Sequence, residues 1–140
     1  MELHHIGIAS TDMERSIRNH CALFNLHPIT EIVDDPVHKV SVVLLSESGK
    51  TSVPIEIVSP LSGESPVSNL LKRGIHLYHV CYTVDDIEST VKEAKKEKSI
   101  VISSPSPAKL YGGRRIAFIY TPDGYIVEFL ERKTQSRQSM

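Results

Sequence analysis

Two histidines and two glutamates occupy matching places in two similar stretches of this chain. LHHIGIASTDMERSI (residues 3–17) and LYHVCYTVDDIESTV (residues 77–91) align at an offset of 74 positions, placing His5 on His79, Leu3 on Leu77, Asp12 on Asp86 and Glu14 on Glu88. Near the end of each half a glutamate interrupts an apolar run, Glu56 in PIEIV and Glu128 in YIVEFL. Burying a carboxylate there costs free energy unless positive charge meets it. Two imidazoles and two carboxylates balance a 2+ ion and leave one or two positions for exchange, as a catalytic metal centre requires. His5, Glu56, His79 and Glu128 are therefore the candidate ligands of one divalent ion.

Elements of defined phase must deliver these donors. Residues 3–9 and 77–83 alternate as strands do, with Ile6 and Ile8, or Val80 and Tyr82, on one face. The other face carries His5, Gly7 and Ala9, or His79, Cys81 and Thr83, and should line a cavity. Thr11-x-x-Glu14 and Asp85-x-x-Glu88 have the capping-box spacing of helix starts. Met13, Ile17 and Phe24 then form an apolar stripe, as do Ile87, Val91 and Ala94. Strand-like runs follow at 29–33, 39–45 and 53–58, and again at 99–103, 114–120 and 125–130. The turns SESGKTS and TPDG separate the last two strands of each half. The expectation is one α+β domain over residues 1–140. Its parts are a βαβββ module at 3–60, a linker at 61–74, a second module at 75–132 and a frayed tail at 133–140. The linker should hold a helix over 66–72, capped by Ser65 or begun by Pro66.

Composition narrows the function classes. The 16 basic and 17 acidic residues nearly cancel, which removes any long-range pull toward nucleic acid or anionic membrane. The start MELHHIGIAS has neither a basic n-region nor a long apolar run, so no secretory signal is expected, and no apolar run approaches the roughly 20 residues of a membrane span. A cytoplasmic protein with Cys21 and Cys81 reduced is expected. His4, out of phase with the site face, and His20, His27, His38 and His76 read as surface residues. Lys109, Arg114 and Arg115 in AKLYGGRR are the candidates for gripping a carboxylate or phosphate of a small-molecule substrate.

These stretches, with VHKVSVVLL, PIEIVSPL and SPVSNLLKRGIHLYHVCYTVDDIE, resemble the vicinal oxygen chelate superfamily, which includes glyoxalase I, extradiol dioxygenases and methylmalonyl-CoA epimerase. The likeness covers about residues 3–132 and is greatest to the epimerase group. It implies two βαβββ modules in an open, barrel-like mixed sheet around a metal held by His5, Glu56, His79 and Glu128. The ion, one of Co, Mn, Ni or Zn, would chelate adjacent substrate oxygens. The implied activity is an isomerase or epimerase that removes a proton alpha to a carbonyl, on an acyl-CoA or related thioester. Glu128 is the candidate base, and a homodimer is implied. The alternatives are a glyoxalase I-like lyase and a non-catalytic binding or resistance protein. The turn YTPDG, and Lys39, Ser41 and Val42 where the epimerase group carries a further glutamate, depart from that group's pattern.

Overall fold

In a computed structural model, which describes residues 1–47 and 52–133, one continuous sheet carries both halves. Module 1 comprises β1 (Glu2–Ala9), α1 (Met13–Phe24), β2 (His27–Pro28), β3 (Val33–Asp35), β4 (Val40–Ser46) and β5 (Ile55–Pro60). A linker helix α2 (Ser68–Lys72) leads to module 2: β6 (Leu77–Val84), α3 (Ile87–Lys96), β7 (Ile100–Pro107), a 3-10 turn (Lys109–Tyr111), β8 (Arg115–Tyr120) and β9 (Ile126–Glu131). The strand order is β2-β4-β5-β1-β6-β9-β8-β7, with β3 also on β4. The order reads the same from both ends. β1 runs parallel to β5, and β6 parallel to β9, while β1 and β6 pair antiparallel at the centre. That is the mixed α+β sheet expected of two βαβββ modules. The centre of the SESGKTS turn (48–51) and residues 134–140 of the tail lie outside the described residues.

Strand parity decides what each face does. Ile8 of β1 and Ile55 and Ile57 of β5 meet Met13 and Ile17 of α1. Tyr82 of β6 and Val127 and Phe129 of β9 meet Ile87, Val91 and Ala94 of α3. Each helix thus buries one sheet face, at roughly 25 cal/mol per Å² of apolar surface removed from water. His5, Glu56, His79 and Glu128 are left on the opposite, concave face, where all four are buried.

Several details differ from the sequence reading. The helix caps are Asp12 and Asp86, one residue later than the capping boxes suggest, accepting from the N–H of Arg15 and Ser89 at 3.0 Å each. The Asp12 carboxylate is a stronger acceptor than the Thr11 hydroxyl, and Glu14 and Glu88 fall in the first turn, where they favour the helix dipole. Phe24 is 59% exposed, because α1 ends there and Asn25 turns left-handed. The expected strand at 29–33 is instead β2 and β3, both on β4. Between them the Thr30 hydroxyl accepts the Leu44 N–H at 3.1 Å, replacing a ladder bond. The linker helix begins at Ser68, after a turn in which the Ser68 N–H bonds Ser65 O.

Candidate metal centre

The central β1–β6 pair brings the two imidazoles together edge to face, with ring centroids 5.2 Å apart. Gly7 lies opposite His79 and Cys81 opposite His5. A Cβ on Gly7 would come within 2.6 Å of His79 Nε2 and 2.7 Å of Nδ1, so the missing side chain makes room for the ring. β5 and β9, parallel neighbours of the central pair, add Glu56 and Glu128.

Five of the donor separations define the cluster. His5 Nε2 lies 3.1 Å from His79 Nε2, 3.5 Å from Glu56 Oε1 and 3.0 Å from Glu128 Oε1. His79 Nε2 lies 3.4 Å from Glu56 Oε1 and 3.0 Å from Glu128 Oε1. Donors about 2.0–2.1 Å from one ion stand roughly 2.8–3.4 Å from each other in octahedral or tetrahedral shells; four of the five separations fall in that range and His5–Glu56 lies about 0.1 Å beyond it. Glu128 Oε1, although close to both imidazoles, is aligned for a hydrogen bond with neither, and it is a buried atom without a partner. Two ring nitrogens and two carboxylate oxygens are thus aimed at a shared point. The residues present fit a divalent ion.

The electrostatics favour the same conclusion. Burial works against charge on every member. Even so, the Glu56 charge, with the Glu128 carboxylate beside the ring, holds the His5 pKa well above its ordinary 6.5. Against burial, Glu128 likewise raises His79, while the imidazoles depress both glutamates. Two ionised carboxylates in a dry site demand positive charge, which either protons or a cation can supply. Burial and the Glu128 charge push the Cys81 thiol up to about 12, so it stays protonated.

Two β-bulges at equivalent positions bring further rings to the concave face. In the β1–β6 register Leu3 pairs with Tyr82 and His5 with Cys81, so His4 is the extra residue. Gly7 pairs with His79 and Ile8 with Leu77, so Tyr78 is the extra residue of the other half. His4 is therefore half-buried rather than on the surface, its Nδ1 2.8 Å from His5 Nδ1. Burial, with the His5 and Arg114 charges, lowers its pKa to about 4, leaving it neutral. It can accept the His5 Nδ1 proton and so hold the tautomer that frees His5 Nε2 for an ion. Tyr78 and Phe118, stacked on each other, pack edge-on against the His79 ring with centroids 4.4 and 5.3 Å away.

Tyr111, which the sequence reading passed over for its basic neighbours, donates to Glu56 Oε2 at 2.8 Å and lies 3.2 Å from His5 Nδ1. Gly112 and Gly113, both at positive φ, turn the chain just beyond it. An aromatic residue before paired glycines was the only available signal. Lys109, Arg114 and Arg115 do not line the cavity among the described residues. Arg115 is engaged by Glu131 at 3.2 Å and Glu88 at 3.4 Å, Arg114 Nε donates to Glu131 O at 2.9 Å, and Lys109 contributes a backbone N–H to Asp35. Among the described residues, the exposed cations along the cavity are Lys39 and Lys72. Of the remaining histidines, His76 bonds Ala9 O, His20 bonds Ser16 O, His27 is exposed beside Asn25, and His38 reaches the cavity.

The cavity beside the quartet has a volume of about 710 Å³ and takes in Glu56, His79 and Glu128 with apolar Val42, Val58 and Leu110. That volume suits a small molecule or the acyl end of a larger one. Among the described residues no helix is long and apolar enough to cross a membrane.

Such a fold and donor set define a class. Residues 4–118 match the Glyoxalase/Bleomycin resistance protein/Dioxygenase superfamily, and the chain belongs to it. It is 30% identical over 137 residues to the mitochondrial methylmalonyl-CoA epimerase of Dictyostelium discoideum, covering 94% of this chain and 78% of that protein. It is 26% identical over 135 residues to the lactoylglutathione lyase of Haemophilus influenzae, covering 96% and 95%. Its fold matches the crystal structure of methylmalonyl-CoA epimerase from Mycobacterium tuberculosis with a TM-score of 0.79, at 21% identity over 95% of this chain and 89% of that one. Within the superfamily its relatives include methylmalonyl-CoA epimerases and lactoylglutathione lyases.

Proposed function

We propose that the protein is a metal-dependent epimerase that removes and returns a proton alpha to the carbonyl of an acyl-CoA or related thioester, with methylmalonyl-CoA as the leading substrate. The observation that carries this reading is the quartet His5, Glu56, His79 and Glu128, buried against a ligand-sized cavity with its donor atoms within 4.8 Å of one another. Relatives named methylmalonyl-CoA epimerase support the substrate class. One divalent ion, Co, Mn, Ni or Zn, would be held by the four donors and would supply positive charge to a carbonyl oxygen as its alpha proton leaves.

The chain's own groups do the rest. Glu128, whose Oε1 has no hydrogen-bond partner to hold it, would serve as the base on one substrate face once released from the ion. Tyr111 keeps Glu56 oriented, while His4, Tyr78 and Phe118 fix the imidazoles. Val42, Val58 and Leu110 keep the reacting carbon out of bulk water. Lys39 and Lys72 are placed to meet anionic groups of the ligand. A homodimer in the cytoplasm completes the proposal.

The test is solvent exchange. Metal-loaded protein should incorporate deuterium at the alpha carbon of methylmalonyl-CoA in D2O and interconvert its epimers. A glyoxalase I-like lyase is the second reading, favoured by the lactoylglutathione lyase relative. Turnover of a hemithioacetal without thioester exchange would decide for it. Absence of bound metal and of both activities would favour the binding protein.

A further inference from the structure

A carboxylate–imidazole pair outside the quartet reaches the same cavity from module 1. Asp35 ends β3, and the turn over residues 36–39 carries His38 to the cavity wall. Asp35 is 4% exposed and fully engaged. Its Oδ1 accepts from the backbone N–H of Val37 at 3.0 Å and His38 at 3.1 Å; its Oδ2 accepts from Lys109 N–H at 3.1 Å and His38 Nδ1 at 2.9 Å. An ionised carboxylate only accepts, so His38 carries a proton on Nδ1, and in the neutral ring Nε2 presents a lone pair. That lone pair faces the Ser106 hydroxyl at 2.9 Å.

These bonds span the whole sheet. β4 lies near one end of the strand order and β7 at the other, yet His38 meets Ser106 of β7 and Asp35 meets Lys109 just beyond it. The sheet therefore curls until its ends touch, and His38 sits at the seam. β4 and β9 are separated by β5, β1 and β6, roughly 19 Å along the sheet at the usual strand spacing. His38 and Glu128 thus reach one cavity from elements far apart in the strand order.

Epimerisation requires a proton to leave one face of a carbon and return to the other. We propose that His38 is the acid–base group for the face that Glu128 does not serve, with Asp35 as its positioning residue. This assignment rests on the epimerase reading above. In one direction Glu128 takes the alpha proton, the C–H electron pair passes toward the carbonyl oxygen, and the His38 imidazolium gives a proton to the opposite face of the carbon. Neutral His38 and protonated Glu128 remain, the pairing that the reverse direction needs, and proton exchange with solvent resets either form. Rotation of the Ser106 hydroxyl frees Nε2 for the substrate. The Asp35–Lys109 bond alone would clamp the seam; the imidazole adds a proton carrier whose side chain keeps 15% of its surface open.

Separate incubations of (2R)- and (2S)-methylmalonyl-CoA in D2O with metal-loaded wild-type protein and His38→Gln test this. Wild type should exchange and interconvert both. His38→Gln should lose interconversion by about 100-fold or more, lose exchange into one epimer to the same degree, and keep exchange into the other within about tenfold. A variant that exchanges both epimers like wild type, or loses both alike while keeping its melting temperature and metal, overturns the assignment. Exchange of neither epimer by wild type overturns the epimerase reading itself, and this assignment with it. A second measurement needs no variant: in 15N-histidine spectra of wild type, the His38 Nε2 resonance should shift on adding propionyl-CoA. An unmoved resonance at saturation also overturns it.

Discussion

Replacing Gly7 with alanine adds one methyl group and should disable the metal centre. The added Cβ would lie 2.6 Å from His79 Nε2 and 2.7 Å from Nδ1, with Cε1 closer still, whereas ordinary contact begins at 3.4 Å. The ring must retreat by roughly 0.8 Å or more to relieve this overlap. Tyr78 and Phe118 pack edge-on against the ring at centroid distances of 4.4 and 5.3 Å, so a shift of that size must repack them. Metal–ligand bonds tolerate only about 0.2 Å of error, so the displaced Nε2 would leave bonding reach of an ion fixed by the other three donors. The expected outcome is a fall in Co2+ affinity of at least about 100-fold, with an overpacking cost to stability of about 1–3 kcal/mol. Isothermal titration with Co2+, beside thermal melts of the metal-free proteins, separates the two effects. A Gly7→Ala protein that binds Co2+ like wild type would refute the reasoning, because His79 would then not be required at its observed position.

Three other outcomes are expected. Tyr111→Phe removes the donor to Glu56 Oε2 and should weaken metal binding by about 10–100-fold, read by the same titration, while leaving the fold intact. Chelation of metal-loaded protein should lower its melting temperature, since an ion held at 100 times its dissociation constant adds about 2.7 kcal/mol; equal melts with and without EDTA would contradict this. Asp35→Asn should cost about 1–3 kcal/mol at neutral pH. Burial raises the Asp35 pKa, but the His38 imidazole and the Lys109 and His38 N–H groups outweigh it and hold the carboxyl below its ordinary 3.8. The stabilisation from this depressed pKa is present above 3.8 and fades as pH falls through the lower folded value. Denaturant melts of wild type and Asp35→Asn should accordingly converge in acid.

The quartet was legible in the sequence because it depends on two local signals, strand parity and a repeat. His5 and Glu56 each occupy the small-residue or carboxylate phase of an apolar strand, and module 2 states the pattern again in His79 and Glu128. The halves of the fold followed from the same repetition. What the sequence concealed depends on closure between distant strands. His4 counted as out of phase because a bulge, created by the β1–β6 register, adds one residue to the alternation. His38, in a turn as expected, read as a surface residue because its partners are Asp35 and, 68 positions away, Ser106 at the far end of the sheet. Arg114 and Arg115 looked free for a ligand because Glu131, which engages both, lies in the adjoining strand β9 rather than nearby in sequence. The capping motifs were off by one residue for a simpler reason, since Asp12 and Asp86 each follow another plausible cap.

The most direct measurement is a crystal structure of Co2+-soaked protein, with anomalous data collected on either side of the cobalt absorption edge. One cobalt peak per chain, bonded at about 2.0–2.2 Å by His5 Nε2, His79 Nε2 and an oxygen from each of Glu56 and Glu128, is the predicted result. Cobalt bound elsewhere, or no cobalt between these side chains at saturating concentration, would contradict the account.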